Sequence, residues 1–145
     1  MINTDNIEKA KRLIKDCKEK PLVVNAQDDF FNRKILEYGK FDILQSVEKG
    51  TRKDSLRQLD SGFNHVLANI SAKNKVAFGI DINEIENLSK KEKSERIARL
   101  IQNIIICRKV GVKIIALNYK DKKDAFSFLL GIGASSIQAK EAISF

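Results

Sequence analysis

Four short apolar runs, at residues 22–24, 41–44, 76–82 and 112–117, are each followed by a stretch with helical periodicity. Strands separated by helices pair in parallel, through right-handed crossovers that lay the helices over the sheet. With no linker or low-complexity tract to divide it, the chain is expected to form a single α/β domain over residues 1–145. Four strands are too few to close a (β/α)8 barrel, so the pattern alone stops at an open α/β layer.

Local signals set the boundaries. Asp5 with Glu8 can form a capping box ahead of a stripe through Ile7, Ala10, Leu13, Ile14 and Cys17, and Pro21 stops that helix. Asp28 caps a second helix that Gly39 ends, and residues 45–59 make a long basic loop. Asp60 or Ser61 is expected to cap a helix with Phe63, Val66, Leu67 and Ile70 on its buried face. Ser89 with Glu92 opens a long helix that Gly111 terminates, its inner stripe read as Ile97, Leu100, Ile101, Ile104 and Ile105. On that phase Arg96 and Arg99 face away from the core, and Ile106 points among polar neighbours. Asp121 or Asp124 caps the next helix, and Ser135 with Gln138 caps the last.

The net charge of +8 is unevenly placed, with residues 51–75 and 90–113 positive and residues 76–89 negative. Basic charge gathered on two segments suits a polyanionic partner such as RNA, although a lysine-rich solvated surface gives the same totals. Aromatic residues are sparse and fall in core patterns, so recognition by shape and backbone fits better than base stacking. No apolar run reaches the length of a membrane span, and residues 1–5 lack the start of a signal peptide, so a cytoplasmic protein is expected. Cys17 and Cys107 stand far apart without CxxC spacing and read as free, buried thiols.

Few residues could carry catalysis. His65 is the lone histidine, which leaves too few ligands for the His/Asp metal clusters of many barrel hydrolases, and no G-x-S-x-G elbow is present. His65 is expected at the surface, opposite the apolar stripe of its helix. Residues 131–136, Gly-Ile-Gly-Ala-Ser-Ser, tempt a phosphate-loop interpretation, but they follow a helix and lack the P-loop lysine. A helix end followed by a capped helix explains the same letters.

One segment is more specific. A basic stretch with Arg52, Lys53 and Arg57 runs into Asp60-Ser61-Gly62-Phe63-Asn64-His65-Val66-Leu67, and then into the strand Val76-Ala77-Phe78-Gly79. This resembles archaeal ribonuclease P protein component 3, related to the thirty-kilodalton subunit of eukaryotic ribonuclease P. That family shows an Arg-bearing segment, an Asp-(Ser or Pro)-Gly-hydrophobic-(Asn or Asp)-His-Val-Leu helix start, and a Val-Ala-hydrophobic-Gly strand. The similarity runs over about residues 22–144 and includes the closing helices at 129–132 and 137–144.

The resemblance implies a shortened, incomplete (β/α) TIM-like barrel with about four core parallel strands. Residues 1–20 supply one helix where other members have two further βα units. The sheet edge beside residues 22–24 would then need a cover: the first helix, another protein, or self-association. The implied function is that of a ribonuclease P subunit, in an endoribonuclease whose RNA removes the 5′ leader of precursor tRNA with Mg²⁺. The polypeptide would bind no cofactor or metal and supply no catalytic residue. Implied partners are the ribonuclease P RNA, protein component 2, the other ribonuclease P proteins and precursor tRNA.

RNA contacts are expected from Arg52, Lys53, Arg57, His65, Arg96, Arg99, Arg108, Lys109 and Lys113, with Asp60, Ser61, Gly62 and Asn64 as the structural motif. After the fourth strand the chain departs from the family, with Ala116-Leu117-Asn118-Tyr119-Lys120 and a short, Lys-rich connection. Two other readings stay open: a reduced barrel enzyme with a phosphate site near Gly131 or Gly133, and a protein-binding scaffold.

Overall fold

The computed structural model describes residues 1–50, 52, 54 and 59–144. Within them, β1 (Val23–Asn25), β2 (Ile43–Gln45), β3 (Ala77–Asp81) and β4 (Ile114–Leu117) form one parallel sheet in the order β1-β2-β3-β4. The strands therefore join in chain order, each to its neighbour, as successive βα units dictate. Around them lie α1 (Ile7–Asp16), α2 (Asp29–Tyr38), α3 (His65–Lys73), α5 (Lys90–Val110), α6 (Lys122–Gly131) and α7 (Ser136–Ile143). A short α4 (Ile82–Glu86), absent from the sequence expectation, follows β3 directly. Asp81 ends that strand and turns the chain, its Oδ1 accepting from the Glu84 amide at 3.0 Å.

Polar caps account for the helix starts. Asp28, Ser89, Asp121 and Ser135 hold the expected amides, and Ser135 with Gln138 forms a complete capping box. At α1 the cap is Asn6 rather than Asp5, its Oδ1 accepting from the Lys9 amide at 3.0 Å. Two acceptors adjacent in sequence compete there, and the backbone path selects the one a residue later.

The core lies between the sheet and the helices, around Ile35, Leu36, Leu44, Phe78, Ile80, Leu100, Ile104 and Leu129. Burying apolar surface at about 25 cal/mol per Å² drives this packing. Gly79 belongs to it: a Cβ there would meet Ile43 Cγ2 at 2.6 Å, so the final residue of the Val-Ala-Phe-Gly strand lets β2 and β3 side chains close up. Cys107 is buried, which pushes its thiol up to about 12, while Cys17 is half-buried; both are free.

The β1 edge is covered, though not by the first helix. Ile2 forms a parallel bridge with Val24, donating its amide to the Val23 carbonyl and accepting from the Asn25 amide, both at 2.8 Å. Ile2 is itself buried. The residues ahead of α1 thus supply a rudimentary fifth strand and occupy the exposed pairing groups.

Candidate nucleic-acid interface

Three of the arginines expected to meet RNA, Arg52 after β2 and Arg96 and Arg99 on α5, face inward. Arg96 on α5 places Nε and Nη2 on Glu48 Oε1, at 3.2 and 2.8 Å, and Nη1 on Glu84 Oε1 at 2.9 Å. One turn on, Arg99 grips Asp54 Oδ2 with Nη2 at 3.0 Å and the Glu48 carbonyl with Nη1 at 3.0 Å. Arg52 joins Asp29 Oδ1 at 2.9 Å, Asp60 Oδ1 at 3.0 Å and the Val47 carbonyl at 2.9 Å. All three guanidinium groups are buried or nearly so. They knit the segment after β2 onto α5 and cannot at the same time clamp phosphates.

The expected phase of α5 is therefore corrected. Its buried residues are Arg96, Arg99, Leu100, Asn103, Ile104, Ile106 and Cys107, whereas Ile101 and Ile105 are 40% and 39% exposed. Isoleucines stand on almost every face of this helix, so periodicity did not fix its rotation. Glu48 and Asp54, from the segment after β2, pair with Arg96 and Arg99 and turn that face inward. Glu48 is 0% exposed, and burial pushes its carboxyl above the usual range, an effect that the Arg96 guanidinium only partly offsets. Hydrogen bonding from Arg99 holds the Asp54 carboxyl below its usual range. Neither acid was singled out from the sequence; the available signal was an acidic residue beside each basic cluster.

The Asp60-Ser61-Gly62 motif also works differently from expectation. Asn64 caps α3, its Oδ1 accepting from the Leu67 amide at 2.9 Å, so neither Asp60 nor Ser61 is the cap. Asp60 instead receives Arg52 and the Gly62 amide. Ser61 is buried against α5, where Gln102 donates to its hydroxyl at 2.9 Å and Asn103 to its carbonyl at 3.0 Å. Gly62 has φ +77°, and a Cβ there would overlap the Val47 carbonyl oxygen and lie 2.7 Å from Arg52 Nη2. Only glycine fits between those groups. On α3 the buried face is Leu67, Ala68 and Ser71, and Val66 is 52% exposed, contrary to the expected stripe.

His65 is exposed at the first turn of α3, as expected. Lys53 and Arg57 lie outside the described residues. Arg108, Lys109 and Lys113 are exposed. Arg108 and Lys109 end α5 and Lys113 follows it, at the opposite end of the helix from Arg96. Arg108 donates to the Gly133 carbonyl at 2.9 Å and tethers the α6–α7 turn. In that turn the Ser135 amide already donates to Gln138 Oε1, at 3.0 Å, and the Gln138 amide to Ser135 Oγ, at 3.1 Å. The would-be phosphate loop is thus a filled capping box, away from the carboxyl ends of the strands.

An open cleft of 550 Å³ does lie near those carboxyl ends, beside Arg52. Asp28, Asp29 and Asp60 line it against Lys49 and Arg52, an arrangement that offers a phosphate little net attraction.

No family model matches the chain. Among curated proteins, Ribonuclease P protein component 3 of Methanococcus maripaludis strain C7 is 24% identical over 116 residues, covering 79% of this chain and 47% of the relative. The strain C6 protein is 25% identical over the same coverage. The chain is similar to ribonuclease P protein component 3. It spans about half the length of the curated component 3 proteins it matches. A chain in the cryo-EM structure of archaeal Ribonuclease P with mature tRNA superposes with a TM-score of 0.79 at 21% identity. That match covers 99% of this chain and 62% of the other, and it establishes the fold: the four-stranded parallel sheet is a shortened TIM-like barrel. The likeness in fold to that chain thus covers the whole architecture.

Proposed function

We propose that this chain is a protein subunit of ribonuclease P that binds and stabilises the catalytic RNA, the part of the enzyme that removes the 5′ leader of precursor tRNA. The observation that carries this is the match of nearly the entire chain to a protein chain of archaeal ribonuclease P, together with similarity to component 3. On this proposal, bond cleavage belongs to the RNA with its Mg²⁺, and the polypeptide contributes folding and phosphate neutralisation. Protein component 2, the other ribonuclease P proteins and precursor tRNA are its partners in the assembly, in the cytoplasm. Among the described residues no helix is long and apolar enough to cross a membrane.

The internal arginines have a role in this scheme. Arg52, Arg96 and Arg99 hold Val47, Glu48 and Asp54 in place, so they act as positioning residues within the protein. The net charge of +8 supplies the long-range attraction, and each phosphate neutralised steepens the salt dependence of binding. The barrel-enzyme alternative loses its main support, because the amides near Gly131 and Gly133 are engaged in helix capping.

Reconstitution tests the proposal. Cleavage of precursor tRNA by the RNA and the remaining proteins should rise when this chain is added, most at low Mg²⁺. Unchanged cleavage at every Mg²⁺ concentration, or leader removal by the polypeptide without RNA, would refute it.

A further inference from the structure

We infer that the RNA-contacting surface of this chain is a row of lysines along the amino-terminal rim of the sheet, opposite the rim where barrel folds usually carry function. The inference rests on the proposed RNA-binding role and specifies where that role is performed. Each turn that leads into a strand holds an exposed lysine: Lys20 before β1, Lys40 before β2, Lys75 before β3 and Lys113 before β4. Lys73 and Lys109 flank the row and are also exposed.

Sheet order aligns these residues. The strands lie in the sequence β1-β2-β3-β4, so the turns that hold the four lysines follow one another along the rim in that order. Lys20 and Lys40 each stand three residues ahead of the paired Val23 and Ile43. The Phe78 amide donates to the Lys113 carbonyl at 2.8 Å, which fixes the fourth lysine against β3. Asn74 donates to the Leu36 carbonyl at 2.6 Å and so ties the turn bearing Lys75 to the helix end that precedes Lys40. The turns that bear the row are thus tied down through backbone groups.

Backbone conformation argues that lysine is there for its charge. Lys40 and Lys75 adopt φ of 63° and 56°, in the left-handed region that glycine or asparagine enters at lower cost. Side chains kept at strained positions call for a functional reason. Lys40 also lies over the Tyr38 ring at 5.4 Å, alongside Lys11 at 5.6 Å, which adds to the positive potential at this end.

The paired acids are distributed differently at the two rims. At the carboxyl end Arg52, Arg96 and Arg99 are spent on Glu48, Glu84, Asp54, Asp29 and Asp60. In the amino-terminal turns the acids are Glu19 and Asp42, held respectively by the Met1 amino group at 3.4 Å and by the Leu22 amide at 2.6 Å. Lys20 approaches Asp42 only at 3.8 Å. Lysine point charges recognise phosphate without reading bases, as expected for contact with the backbone of a folded RNA.

The test compares salt dependence of binding to the ribonuclease P RNA encoded in the same genome, transcribed in vitro. Three full-length proteins are used: the wild type, K20Q/K40G/K75G/K113Q, and K90Q/K91Q/K120Q/K122Q. The last removes equal charge from the carboxyl rim. The amino-rim variant should lower the slope of log affinity against log salt by about one per lysine. The control should stay within about one unit of wild type on the same scale. Glycine at positions 40 and 75 suits the left-handed backbone, so unfolding temperature should hold or rise, which separates lost binding from lost fold. Equal losses in both variants, or an unchanged amino-rim variant, would overturn the rim while leaving RNA binding intact. Failure of the wild type to bind would overturn both. An amino-rim variant that keeps RNA but loses a protein from the assembled particle would assign the row to an acidic protein and overturn the RNA contact.

Discussion

Arg96 and Glu48 face each other at 2.8 Å, with the Glu48 side chain wholly buried and its Oε2 without a hydrogen-bond partner among the described residues. Forty-eight residues separate them in sequence, so the pair fastens the segment after β2 to the middle of α5. An ion pair removed from water gains little net stability, but breaking it leaves a buried charge stranded. Its value here is geometric: it sets the rotation of α5 and the path of the loop.

Removing one partner should be costly. Arg96→Ala leaves Glu48 buried beside apolar neighbours and Glu84 without its guanidinium, and should lower stability by about 3–5 kcal/mol. Denaturant unfolding followed by circular dichroism measures this directly. A loss below about 1 kcal/mol would show that the pair is dispensable.

Glu48 and Asp54 should make stability depend on pH in opposite directions. The Glu48 carboxyl titrates above its ordinary 4.5 in the folded protein. The native state then binds more protons than the unfolded chain, and stability falls as pH rises through that window. Asp54 titrates below its ordinary 3.8, so its contribution is complete above that value and is lost as pH falls through the folded one. Unfolding measured across pH should therefore lose its upper slope in Glu48→Gln and its acid slope in Asp54→Asn. Superimposable profiles for the two variants and the wild type would contradict the assignment.

Gly62→Ala should damage the loop without touching the core. The added methyl meets the Val47 carbonyl and Arg52 while φ stays in the left-handed region, at a combined cost of about 2–5 kcal/mol. Hydrogen exchange should then report faster opening at residues 46–50 and 59–64 before global unfolding. An alanine variant as stable as wild type would mean that Arg52 moves aside freely.

The sheet edge gives the fourth expectation. Ile2→Pro removes the amide that bonds to Val23 and weakens the bridge to Val24, at about 1 kcal/mol for the hydrogen bond. The uncovered β1 edge should then pair between molecules, and sedimentation should show concentration-dependent dimers absent from the wild type. A strictly monomeric variant would show that one bridge is not what protects this edge.

The alternation of strands and helices, the caps at Asp28, Ser89, Asp121 and Ser135, and the stop at Gly111 were legible because each depends on residues a few positions apart. The component 3 likeness was legible for a related reason, since Gly62 and Gly79 answer to tight local geometry that leaves a fixed letter. The site was less legible. Arg96 and Arg99 look like surface cations on a helix with isoleucines all round, and only Glu48 and Asp54, brought close by folding, turn them inward. Lys20, Lys40 and Lys75 drew no notice because they lie in separate turns, dispersed among ordinary lysines.

Sequence by itself thus determined which elements form and in what order, since capping, periodicity and glycine placement are short-range effects. Tertiary structure decided which charges are spent inside and which remain for a partner. Ion pairing and sheet order act between residues distant along the chain, and their outcome is set only when the strands lie side by side.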